Sequence, residues 1–188
     1  MSNKNLENFF FRLLQFSAIS VFLGRAWQHL YWDAPFRALL WDEQLLSGLV
    51  TRFTSMDWET YIKSMEVDDW ISWLIKCFGG LYVFAAMLSI FIKQIPKWLQ
   101  KGLWVGALGL IFLAFLYTKE KFFSIGQFFE YSLQFSSPLF LYYWVNSTHT
   151  AAFEQKFLLI LKIAIALTFT CHGSVSYTHL TLPTTPYV

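Results

Sequence analysis

Charge is what this sequence has least of. Only 14% of its 188 residues are Asp, Glu, Lys or Arg, against about 25% in an ordinary soluble domain. The formal net charge is +2, so there is no basic face, which excludes nucleic-acid binding of the usual kind. No phosphate-cradling glycine loop, GxSxG, HExxH or CxxC occurs. Nucleotide-driven chemistry is thereby excluded for this chain alone, and nothing identifies a cofactor. The two cysteines, Cys77 and Cys171, both fall in apolar blocks, which excludes a disulfide framework. They read as small buried hydrophobes, with a thiol pair across two helices as the lesser alternative.

Apolar sequence is abundant: 56% hydrophobic residues, 21% aromatic, and a mean hydropathy of +0.43. A membrane helix needs about 20 mostly apolar residues to cross about 30 Å of hydrocarbon. Five blocks meet that need, at about residues 9–31, 70–92, 102–118, 123–146 and 153–173. The third is free of charge between Lys101 and Lys119, and the start of the fourth is the least defined. The first is too long for a cleavable leader, and no small-residue cleavage site follows it before Trp32. The expected fold class is all-α: a polytopic transmembrane helical bundle, with residues 1–173 forming a single integral membrane domain.

From Ser174 the character changes. Residues 174–188 carry Pro183 and Pro186 among several threonines, a composition unsuited to continuing a helix. Their Val175–Pro183 core resembles a translated sequencing-library adapter. On that reading the tail is not native, and the natural chain is expected to continue past Gly173 into a sixth span. The alternative is a genuine polar tail outside the membrane.

Lys93, Lys97 and Lys101 cluster around Pro96, and Lys4, Arg12 and Lys156 fall on the same side. Arg37, Arg52, Lys63, Lys119 and Lys121 lie on the other, spread over a longer stretch. The positive-inside rule then predicts a cytoplasmic N-terminus. The segment 32–69 carries eight acids against three bases, a net charge of −5. Asp33 is expected to cap a helix with Pro35 in its first turn, and Thr54 or Ser55 to cap a second. Their apolar positions recur at near-helical spacing, so the segment is expected to lie amphipathically on the outer face. It is either a plain connecting lid or a substrate gate.

An ionisable side chain within a membrane helix costs roughly 2.5–3.5 kcal/mol at the centre, so it tends to face the bundle interior and find a partner. Alternating topology puts the end of span one, the starts of two and four, and the end of five at one side. Arg25, His29, Lys76, Gln127, Glu130 and His172 occupy those places. Arg25, His29 and Asp33 repeat in four-residue steps, with Gln28 beside them. Gln127, Glu130, Gln134 and Ser137 repeat in threes and fours ahead of Pro138, which is expected to interrupt that helix and free backbone groups, and Thr168 shares a face with His172. The expectation is a polar intramembrane site of Arg25, His29, Gln127, Glu130 and His172, with Asp33 and Lys76 secondary. In it Glu130 would balance Arg25 and the histidines would exchange protons. The plainer alternatives are that Arg25 and Lys76 snorkel to the headgroups and that Glu130 sits at the interface. His29, His172 and Glu130 have ligand chemistry but no metal-motif spacing, so no metal is expected. Gly102, Gly106 and Gly109 suggest close helix packing.

The stretch Gly24 to Arg37, GRAWQHLYWDAPFR, resembles a group of small bacterial inner-membrane proteins. Thr170-Cys171-His172-Gly173 looks like the start of a matching segment there, which would continue in Leu-Tyr-Ala rather than Ser-Val-Ser. More remotely, and on architecture alone, the bundle is similar to the DoxX-like membrane proteins, which implies a redox- or quinone-associated setting but transfers no catalytic residue. Two function classes follow. One is a membrane protein handling a small ligand or a proton; the other is a non-catalytic accessory or assembly subunit. The expected partners are the lipid bilayer and either a small molecule or other membrane subunits.

Overall fold

The structure is a computed structural model and describes residues 3–120 and 124–180. The described residues are all helical apart from their connections: α1 (Asn3–Tyr31), α2 (Phe36–Leu40), α3 (Glu43–Thr54), α4 (Trp58–Lys63), α5 (Met65–Ile90), α6 (Lys97–Gln100), α7 (Gly102–Glu120), α8 (Ile125–Glu130), α9 (Ser132–Asn146) and α10 (Ala151–Leu180). Four helices are long and apolar enough to cross a membrane: Glu7–Tyr31, Met65–Ile90, Lys97–Glu120 and Ala151–Ser174.

Block four, expected as one span at 123–146 interrupted at Pro138, is broken elsewhere, and α9 runs through Pro138. The block's first residue, Phe123, lies outside the described ones, and the rest is broken at Tyr131, whose φ of −90° and ψ of 3° close α8 and open α9. At 15 residues, α9 falls short of a full span. Pro138 lies within α9 and is buried. The tail also departs from expectation, because α10 runs on as helix to Leu180. Pro183 and Pro186 lie outside the described residues.

Helix α1 buries Leu14, Ala18, Phe22, Ala26 and His29, a ladder of three- and four-residue steps. It lies along α5, which contributes Tyr82, Ala85, Ala86 and Leu88 to the same core. The small alanines let the two backbones approach closely, and van der Waals contact is what holds helices together where no water drives them. Gly106 of α7 continues the theme: a Cβ there would lie 2.7 Å from the Phe22 ring and 3.2 Å from the Ala85 Cβ. Phe140, Leu141 and Trp144 of α9 close this core, with Phe157 and Ala164 of α10 at its margin. Helix α10 is peripheral, with only 11% of its apolar window buried.

A second apolar cluster joins Ala34 and Phe36 to Ile71 and Ile75 of α5 and to Leu113 and Leu116 of α7. It seats α2 on the end of the bundle where α1 stops and α5 starts. Charge then ties the segment down. Arg37 bonds Asp33, Asp68 and, at 2.9 Å, Ser72, while Lys119 of α7 pairs with Asp42. The caps differ from those expected. Asp33 accepts from the Ala34 N–H and holds Arg37, one helical turn on, instead of capping. Asp42 caps α3, accepting from the Leu45 N–H at 3.1 Å. Thr54 turns its hydroxyl back to the Val50 carbonyl, and Ser55 closes α3 in the left-handed region at φ 58°. The cap of α4 therefore falls to Asp57, which accepts from the Thr60 N–H at 3.3 Å.

Candidate functional site

The seven expected polar residues fall into three groups around one end of the bundle. The first centres on Arg25, half-buried between α1, α7 and α9. One terminal nitrogen donates to Gln28 Oε1 at 2.6 Å and to the Tyr117 hydroxyl at 3.4 Å; the other donates to Gln134 Oε1 at 2.6 Å. The guanidinium carbon stands 5.4 Å from the Tyr117 ring centre and 5.2 Å from that of Tyr131. Those rings stack on one another, 5.1 Å apart and tilted by 15°. Gln28 Nε2 donates in turn to the Tyr117 hydroxyl. Every contact of Arg25 is thus neutral: among the described residues no carboxylate pairs with it.

The carboxylate expected to balance Arg25 is engaged elsewhere. Glu130, at the end of α8, has one oxygen 2.7 Å from His172 Nδ1 of α10, while the other accepts from Gln127 Nε2 at 2.7 Å. The Glu130 side chain is 17% exposed and that of His172 64%; Gln127 is buried. Tyr131, next along the chain, has its ring against Arg25, so the two groups flank the break between α8 and α9. Beneath the break, the Leu133 N–H, freed by the interruption, donates to Thr168 Oγ1 of α10 at 2.9 Å. The Ser132 hydroxyl lies 3.2 Å from the same atom. Below that, Ser17 and Ser137 meet at 2.8 Å across α1 and α9.

His29 separates from Arg25 despite the four-residue step. Its ring turns into the α5 core, 5.2 Å from the Tyr82 ring centre and 5.7 Å from that of Phe36. Nδ1 lies 2.7 Å from the Arg25 carbonyl oxygen, which can only accept, so Nδ1 carries the proton and donates. The neutral ring then presents Nε2 as an acceptor. Nε2 is buried without a hydrogen-bond partner among the described residues, as is the Tyr82 hydroxyl. His29 also lines a cleft of about 360 Å³ together with Asp33 and Lys76. Tyr31, Trp32, Arg37 and Ser72 complete its polar and aromatic wall. Burial works against the charge of Arg37, but the hydrogen bonds to Asp68 and Asp33 win and raise its pKa above the ordinary arginine value. Lys76 is exposed and pairs with no carboxylate among the described residues.

Tyr117 and Tyr131 are the site residues that sequence reasoning passed over. The signal was available, since both are aromatic hydroxyls in the half of the chain's apolar blocks that holds Arg25. Cys77 and Cys171 are both free, the first exposed and the second half-buried. Among the described residues, no group of three His, Cys, Asp or Glu side chains is arranged to hold a metal ion. No family model, no curated protein and no solved structure matches the chain.

Proposed function

We propose that this chain is a multi-pass membrane protein that handles a small ligand bearing an acidic or carbonyl group at a polar site centred on Arg25. In this reading the broken pair α8–α9 counts with α1, α5, α7 and α10 as a fifth crossing, and α2 to α4 lie on the outer face. The N-terminus is cytoplasmic, by the lysines around Pro96. The resemblance of the Gly24–Arg37 stretch supports a bacterial inner membrane as the location.

One observation carries the reading: a half-buried guanidinium that finds only neutral partners. A cation taken partly out of water is costly unless an anion joins it. Gln28, Gln134 and the tyrosine pair fix its orientation without neutralising it, which leaves the charge for an incoming acidic or carbonyl oxygen. Interrupted helices are a recurrent way to expose binding groups at membrane depth. Across Tyr131, the Glu130–His172 pair supplies an acid–base couple: the carboxylate takes a proton and the imidazole exchanges it.

Small carboxylates and carbonyl compounds, tested for thermal stabilisation of the detergent-purified protein, check this directly. A saturable stabiliser is expected, with Arg25→Gln abolishing its effect and Arg25→Lys keeping part of it. The low burial of α10 favours a second reading, in which this helix seats another membrane subunit and the Arg25 cluster only joins helices. That reading gains if no compound stabilises the protein while Arg25→Gln lowers the melting temperature.

A further inference from the structure

The cleft bounded by His29, Asp33 and Lys76 lies apart from the contacts of Arg25, which turn toward α7 and α9. Its volume of about 360 Å³ falls within the roughly 300–1,000 Å³ typical of small-ligand pockets. Its charges divide into two kinds. Arg37 is committed: all three guanidinium nitrogens are bonded, to Asp33, Asp68 and Ser72. It therefore fixes the wall. Lys76, on α5, is an ammonium with no carboxylate partner among the described residues, while Asp33 lies in the connection between α1 and α2. The Asp33 carboxylate receives one bond on each oxygen, from the Ala34 N–H and from Arg37, and keeps a lone pair on each. Its side chain is 54% exposed. The cleft thus offers a free cation and an oriented anion.

Position narrows the occupant. Tyr31 ends α1 and Trp32 follows it, with both rings open to the surroundings. Aromatic side chains of this kind gather at the level of lipid headgroups. We propose that this cleft binds the headgroup of an amino-phospholipid, Lys76 holding the phosphate and Asp33 the primary ammonium. The inference rests on α1 and α5 crossing a bilayer, but not on any ligand at Arg25.

The test is native mass spectrometry of the chain released from nanodiscs holding equal parts phosphatidylethanolamine, phosphatidylcholine and phosphatidylglycerol. Phosphatidylcholine has no N–H donor for Asp33, and phosphatidylglycerol has no cation. One phosphatidylethanolamine per chain is expected to be retained about tenfold over either competitor. Lys76→Gln should lose that retention and Lys76→Arg keep it, while Asp33→Asn should hold phosphatidylglycerol as well as phosphatidylethanolamine. Equal retention of the three lipids, or a Lys76→Gln chain that retains phosphatidylethanolamine as the wild type does, overturns the proposal. Binding of water-soluble glycerophosphoethanolamine with no lipid retained would assign the same chemistry to a free zwitterion and overturn the lipid. None of these substitutions touches Arg25, so the outcome is independent of the stabilisation experiment above.

Discussion

Tyr82 and His29 set the terms at the scale of single residues, because each buries a polar atom that no group among the described residues satisfies. An unmet hydroxyl in an apolar core is a cost that its removal lifts. Tyr82→Phe is therefore expected to leave the melting temperature in detergent unchanged or to raise it, by up to about 1 kcal/mol of stability. A loss larger than that would mean the hydroxyl has a partner. Single residues were also where the sequence was most informative. Arg25, Glu130 and His172 could be picked out because ionisable groups are rare and costly in apolar blocks. Their partners could not. The Arg25–Glu130 pairing requires a stripe that runs unbroken as far as Pro138, and the chain is broken at Tyr131 instead, one residue after Glu130. Arg25 meets Gln134 and two tyrosines instead, while Glu130 meets His172.

At the scale of elements, the break between α8 and α9 depends on one side chain of another helix. Thr168 Oγ1 accepts the Leu133 N–H that the interruption leaves without an intrahelical partner. Thr168→Val keeps the shape and removes the acceptor, and should cost about 1–3 kcal/mol, read as a lower melting temperature in micelles. If stability is unchanged, the amide has another acceptor. Hydropathy outlined the long helices well, since runs such as Gly102–Thr118 have nothing polar to interrupt them. It missed the break because Tyr131 belongs to no turn signal, and Pro138, the one obvious breaker, sits within α9. The caps of α3 and α4 show the same limit. Asp42 and Asp57 were counted only as acids, while Thr54 and Ser55 carried the capping signal yet serve the end of α3.

For the whole molecule, the segment from Asp33 to Lys63 is held to the bundle by an apolar seat and charged straps. The hydrogen bond from Lys119, helped by the Leu45 N–H, holds the Asp42 carboxyl below its ordinary 3.8. A carboxylate depressed in the folded state stabilises it at every pH above its unfolded value and loses that effect as pH falls through the native one. Hydrogen exchange over residues 43–54 should accordingly be the same at pH 7 and pH 5 once corrected for intrinsic rates. Asp42→Asn should raise it at both. Faster corrected exchange at pH 5 in the wild type would show that another group governs the docking. The shape of α9 reaches beyond the protein itself. Fifteen residues rise only about 22 Å, well short of a hydrocarbon layer about 30 Å thick. On the reading proposed above, α8 supplies the remaining depth, so that crossing is made by two helices joined at Tyr131. That flank would then meet the lipid as two short rods with a joint between them, where α1 and α5 each present one continuous rod.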